Sequence, residues 1–303
     1  MSQRSTESLI KCPRGYDPAK AHKPSDMKRG FETAIYAQDE DYVRSCVLRR
    51  VARELPKGGE RSAMERLAAD LDGNTVPATL ASSRYMRERR KAVIGHLWRV
   101  MDAVPTMPRG TVTVMVRGWE IPPDDLHLID PRRLLEPYRA DLNRCGLARA
   151  DGFAFFGLHG EFNSSTKMFD LHLHGVHVGG VEDVLRALRK RPKYQPAIIE
   201  CQGARKTVNR VKVSTRPMKD MPHPITYTLQ SWWPRRDTFV AGGKVKRSKG
   251  RKRIPDFPHA MWLLWMDRWT VSDLTLLVRM RVTKRGLVHV ERRTRTLRRT
   301  AGI

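Results

Sequence analysis

The stretch Phe169-Asp170-Leu171-His172-Leu173-His174-Gly175-Val176-His177 alternates apolar and polar side chains. That period of two is the signature of a strand with one face in a core. Leu171, Leu173 and Phe169 then point inward together, while His172 and His174 stand side by side on the other face. Two imidazoles so placed form a bidentate metal site, and His177, out of phase with them, reads as structural. Upstream, residues 152–162 form a second strand-like run, joined to this one by the polar turn Asn163-Ser164-Ser165-Thr166, so the two segments make a hairpin. Glu161 lies on that neighbouring strand, where its carboxylate can complete the coordination. Two neutral imidazoles and one carboxylate leave positions on a divalent ion for water or a phosphate oxygen.

Outward from the hairpin, Thr111-Val112-Thr113-Val114-Met115-Val116 is a β-branched run that starts a central strand. Residues 132–145 return to helical spacing and end at Gly146. Residues 181–191 are a short helix, 197–201 and 208–214 are strand-like, and 224–233 is a helix opened by proline. Before the strands, residues 39–55, 62–71 and 80–104 carry apolar side chains on one helical face. The pattern predicts an α+β fold: a central antiparallel sheet with helices packed on it, an N-terminal helical region and a basic C-terminal helical tail. The expected boundaries are an arm at 1–36, a helical accessory region at 37–105, a sheet-bearing α+β unit at 106–236 and a basic region at 237–303.

The chain has 303 residues, 58 of them Lys or Arg against 32 Asp or Glu, a formal charge of +26. Self-repulsion on that scale points to a polyanionic partner. From residue 234 onward 19 basic and 5 acidic side chains give a net +14. Lys244, Lys246, Arg247, Lys249, Arg251, Lys252 and Arg253 fall within ten residues bordered by glycines, the pattern of a mobile loop that lies on phosphates. Trp232, followed by Arg235 and Arg236, reads either as a surface for stacking an unpaired base or as part of the core. Further on, Trp262, Trp265 and Trp269 share a helical face and read as core. The longest apolar run, Ala260 to Met266, has seven residues, far short of the ~20 a membrane helix needs. No secretory signal precedes it, so the expected location is cytoplasmic. Cys12, Cys46, Cys145 and Cys201 are too far apart for a zinc finger and read as reduced thiols. Ala241-Gly242-Gly243-Lys244 lacks the flanking pattern of a nucleotide-binding loop.

His172-Leu173-His174 resembles the His-hydrophobe-His motif of the rolling-circle replication initiators, the HUH endonuclease superfamily, and the likeness extends over residues 110–236. In that family a strand ending in an acidic residue, here Glu161, precedes the His pair, and a helix carrying a nucleophilic tyrosine follows it. Tyr227-Thr228-Leu229-Gln230 is the segment that comes nearest to the family's Tyr-x-x-Lys motif, with Gln230 where lysine is usual. The resemblance implies a DNA nickase: a divalent ion, Mg2+ or Mn2+, on His172, His174 and Glu161 polarises a phosphate, and the Tyr227 hydroxyl attacks phosphorus. A 5′-phosphotyrosine and a free 3′-hydroxyl result. It further implies single-stranded or origin DNA as partner, with the host replication machinery as a second one, and leaves the oligomeric state open.

Tyr194, among Arg189, Lys190, Arg191 and Lys193, is the competing nucleophile, although Pro196 disfavours a helix there. Tyr227 also reads as an aromatic anchor in a helix that buries Ile225, Leu229 and Trp232. The alternative function is a non-catalytic DNA-binding protein with a relic initiator fold. RNA binding has no aromatic-rich sheet motif to support it.

Overall fold

The computed structural model describes residues 31–218, 221–248 and 252–290. Three helices come first: α1 (Ala34–Glu54), α2 (Gly59–Asp72) and α3 (Ser83–Asp102). Thr33 and Ser82 cap α1 and α3, their hydroxyls accepting the Tyr36 and Tyr85 amide protons at 3.1 Å each. The three helices expected from apolar spacing are all present. Phe31 and Glu32 are buried ahead of α1, so the end of the anticipated arm belongs to the fold; its first 30 residues lie outside the described ones.

Then follow β1 (Arg109–Ile121), α4 (Pro131–Arg144), β2 (Phe153–Asn163), β3 (Met168–Val178), α5 (Val181–Leu188), β4 (Ala197–Cys201), β5 (Ala204–Val208) and β6 (Val211–Ser214). The rest of the described chain is α6 (His223–Thr226), β7 (Arg235–Arg236), β8 (Thr238–Ala241), β9 (Lys244–Arg247), α7 (Asp256–Asp267), β10 (Thr275–Val278), β11 (Met280–Thr283) and β12 (Gly286–His289). The central sheet runs β10-β2-β3-β1-β6, each neighbouring pair antiparallel, with β7 added in parallel to the end of β2. Within it β1-α4-β2-β3-α5-β6 is a split β-α-β arrangement that makes β3 and β1 the interior strands. The chain is therefore α+β, an antiparallel sheet with helices packed on it. No helix among the described residues is long and apolar enough to cross a membrane.

Three segments depart from the sequence expectation. The helix expected over 224–233 is only the four residues of α6. Residues 244–247, expected in a mobile loop, are strand β9: Gly242 and Gly243, at φ 60° and 67°, make the two-residue turn that folds β8 onto β9. The basic tail is not helical throughout. The stretch opening at Ser272 forms strands, and Leu276 and Val278 are buried by alternation as β10 pairs with β2. The region beyond residue 236 thus supplies an edge strand of the central sheet. One contiguous apolar core runs from α1 through the sheet to α7, with Trp262 and Trp265 buried in it and Trp269 packed against its border.

Candidate active site

The hairpin register decides which side chains meet. His159 lies opposite His172, Gly157 opposite His174 and Glu161 opposite Asp170, while on β1 Thr113 lies opposite His174. Directly opposed residues share a face of a sheet, so all of these side chains leave on one face. Phe156, Leu158 and Leu173 leave on the other, where the Tyr138 ring meets Phe156 edge-on at 5.3 Å. His177 also emerges there and is fully buried.

His172 and His174 converge as their spacing suggests, their Nε2 atoms 3.1 Å apart. The outer nitrogens have partners: His172 Nδ1 faces the Asp170 carbonyl oxygen at 3.0 Å, and His174 Nδ1 faces Thr113 Oγ1 at 3.1 Å. A carbonyl only accepts, so His172 Nδ1 carries the proton and its Nε2 presents a lone pair toward His174. Thr113 can accept from His174 Nδ1, which would turn the second Nε2 lone pair inward as well. Backbone and hydroxyl partners on the outer nitrogens are the usual support of metal-binding histidines. Neighbouring ligands each about 2.1 Å from one ion have a comparable N···N separation. Burial holds all three imidazoles neutral: His159 is pushed down to about 3, and burial lowers His172 and His174 too. Neutral imidazole is the metal-binding form.

Glu161 is near this pair, but its carboxylate is engaged elsewhere. Arg236 Nε donates to its Oε2 at 2.6 Å and Arg247 Nη1 to its Oε1 at 3.2 Å. Burial pushes the carboxyl upward, but the Arg247 and Arg236 guanidiniums outweigh it and leave Glu161 below the usual carboxylate range. The imidazole pair fits a bidentate site, whereas no group of three or more His, Cys, Asp or Glu among the described residues is arranged to hold a metal.

Tyr227 ends α6 and lies over the His face. Its ring is 6.4 Å from that of His174 and 5.2 Å from that of His223, and it is 37% exposed. Gly157 makes this approach possible. A Cβ there would come within 1.6 Å of the Thr228 carbonyl oxygen, so only glycine lets the turn after α6 press onto the strand beside His174. The N-terminal helices hold the turn from the far side. Arg44 of α1, fully buried, donates to the Ser231 carbonyl at 2.6 Å and the Ala81 carbonyl at 2.7 Å, and Arg90 of α3 donates to the Leu229 carbonyl. Hydrogen bonds from charged groups contribute about 1.5–3 kcal/mol each, enough to fix a segment whose own helix is one turn long. Between Tyr227, His174, Thr113 and His223 opens a cleft of about 350 Å³.

Tyr194 is buried on the Phe156 side of the sheet. Its hydroxyl donates to Asp141 Oδ2 at 2.9 Å and its ring leans on Tyr138 at 6.3 Å. Burial and Asp141 push its ionisation far above the ordinary phenol range. Of the basic residues that the sequence assigned to DNA, five are engaged within the molecule. Arg236 and Arg247 hold Glu161, Arg235 and Lys252 pair with Asp237, and Arg253 grips both oxygens of Glu40. Lys244 and Lys246 are exposed on β9, Trp232 is half-buried against the core, and Lys249 and Arg251 lie outside the described residues. Sequence reasoning missed His159, Thr113 and Gly157, and it assigned Arg236 and Arg247 to DNA where the structure pairs them with Glu161. His159 was within reach: it is two residues before Glu161 on the same strand, hence on the same face.

Comparison of the chain with models of known protein families, with curated proteins and with solved structures gave no match.

Proposed function

We propose that the protein is a DNA strand transferase that nicks single-stranded DNA through Tyr227, in the manner of a rolling-circle replication initiator. The observation that carries the reading is the convergence of the His172 and His174 Nε2 atoms, 3.1 Å apart, with His174 lining the cleft that Tyr227 borders. His172 and His174 would hold a divalent ion, Mg2+ or Mn2+, and the ion would supply Lewis-acid polarisation of a phosphate. Thr113 and the Asp170 carbonyl orient the two rings. Arg44, Arg90 and Gly157 fix the turn that carries Tyr227. The phenol oxygen forms a bond to phosphorus, the bond from phosphorus to the 3′ oxygen breaks, and the phenolic proton is balanced by protonation of that leaving oxygen. The product is a 5′-phosphotyrosine that conserves the energy for rejoining. Lys244 and Lys246 on the exposed face of β9 supply phosphate contacts that position the strand.

Incubating the protein with single-stranded DNA of its own replicon and Mn2+ or Mg2+ tests the reading. A protein-linked fragment that EDTA prevents, mapped to Tyr227 and absent from Tyr227→Phe, is expected. DNA binding with no covalent product would favour the second reading, a DNA-binding protein on a relic initiator scaffold. Gln230 in place of the motif's lysine, and the engagement of Glu161 by two arginines, are the observations on that side.

A further inference from the structure

The carboxylate nearest the imidazole pair is held by two guanidiniums that reach it from different strands. Arg236 comes from β7, which pairs with the end of β2 and whose Nη1 also donates to the Ser248 carbonyl at 3.1 Å. Arg247 comes from the end of β9 and spans two acids, Glu161 at 3.2 Å and Asp170 at 2.6 Å. Two positive and two negative groups thus balance one another on the His172 face of the sheet. All four stay open to solvent, with 33% of the Arg247 side chain exposed and 17% of that of Glu161. A guanidinium fork matches a phosphate as well as a carboxylate. A phosphodiester can therefore replace Glu161 on the arginines with no loss of charge-assisted hydrogen bonds. Once released, Glu161 is a diagonal cross-strand neighbour of His172 on the same face, a spacing a long side chain bridges.

We infer that Arg236 and Arg247 are a phosphate-binding pair whose occupation by a DNA phosphate frees Glu161 to join His172 and His174 on a divalent cation. The inference rests on the nickase reading of the site and adds that cation and DNA bind cooperatively. Such coupling is reciprocal: whatever factor DNA contributes to cation affinity, the cation returns to DNA affinity.

Titration of the full chain with Mn2+, followed by the electron paramagnetic resonance of the free ion, tests this with and without a short single-stranded oligonucleotide. The oligonucleotide should tighten Mn2+ binding by at least about fivefold, the lower end of typical coupling. Mn2+ should tighten oligonucleotide binding by the same factor. Arg247→Gln should bind Mn2+ more tightly than the parent without DNA and gain less from adding it. Adding Glu161→Gln to that variant should remove the improvement. Arg236→Lys keeps the charge but not the fork and tests the same exchange if Arg247→Gln does not fold. Equal Mn2+ affinity with and without oligonucleotide, in a protein whose Mn2+ binding His172→Ala abolishes, would overturn the coupling and leave the imidazole site standing. Mn2+ binding indifferent to both His172→Ala and His174→Ala would overturn the site and the coupling together.

Discussion

Tyr227 and Tyr194 lie on opposite sides of one sheet, Tyr227 beside His174 of β3 and Tyr194 against Tyr138 and Asp141 of α4. On the Phe156 side the packing is that of a core: Tyr194 leans on Tyr138, Tyr138 meets Phe156 edge-on, and the Tyr194 hydroxyl is tied to Asp141. On the His159 side the strands carry imidazoles and two carboxylates, the covering element is a single turn of helix, and a cleft remains open at Tyr227. The contrast teaches that a sequence motif which names a tyrosine is less informative than the face on which that tyrosine lies. Tyr194 has the more basic sequence neighbourhood, yet burial and an anionic partner push its ionisation well above the ordinary phenol range.

The comparison breaks first at Tyr227. Tyr227→Phe should reduce covalent DNA adduct by at least about a thousandfold, as expected for loss of a nucleophile, while its melting temperature stays near that of the parent. Next in size is the support behind the turn. Glu40, held down at about 2 by Arg44 and Arg253 against the upward pull of burial, is the buried counter-ion of Arg44. Glu40→Ala leaves that guanidinium uncompensated and should cost about 3–5 kcal/mol in chemical denaturation.

Acid should weaken the imidazole side before it touches the carboxylates. Burial lowers His159 from 6.5 to about 3, so between those values the unfolded chain binds a proton that the folded chain refuses. His259, buried on α7, is lowered to about 3 in the same way. Their contribution is intact above pH 6.5 and is lost as the pH falls through that window, on the order of a few kcal/mol for each group. Glu40 adds a further loss below its ordinary value of 4.5. Denaturation midpoints measured from pH 7.5 downward check the sequence of events; a flat profile between about pH 6 and 5 would contradict the buried neutral histidines.

Gly157→Ala drives a methyl group into the Thr228 carbonyl and should cost about 1–3 kcal/mol, with loss of adduct formation that exceeds the loss of fold. The smallest effect is expected at Tyr194. Tyr194→Phe removes one of several partners of Asp141, which keeps Arg144 and Arg191. It should lower stability by about 1–2 kcal/mol and leave the adduct unchanged. An adduct abolished by Tyr194→Phe and spared by Tyr227→Phe would reverse the comparison.

How far the sequence could be read follows from where the information lies. Strand β3 was legible because Leu171, His172, Leu173 and His174 alternate, and alternation survives any packing partner. The hairpin and the helical faces of α1 to α3 were legible for the same reason. What the sequence hid depends on register and long-range anchoring. Leu274, Leu277 and Met280 fall at helical spacing while Leu274, Leu276, Val278 and Met280 alternate, so the run suits helix or strand and only pairing with β2 decides it. Ile225, Leu229 and Trp232 carry helical apolar spacing, but Arg44 and Arg90, more than 130 positions away, take the carbonyls of Ser231 and Leu229. Gly242-Gly243 carried a turn signal that the surrounding lysines obscured. At the site, composition and spacing picked out Glu161 near the histidines, but nothing local says that Arg236 and Arg247 hold it.

The central claim is that His172 and His174 act together as ligands, and pulsed electron paramagnetic resonance of the Mn2+-loaded protein addresses it most directly. Two imidazole nitrogen couplings are expected in the parent protein, one in His174→Ala, and both unchanged in His177→Ala on the opposite face. A spectrum without nitrogen coupling, or one that His174→Ala leaves intact, would contradict the account.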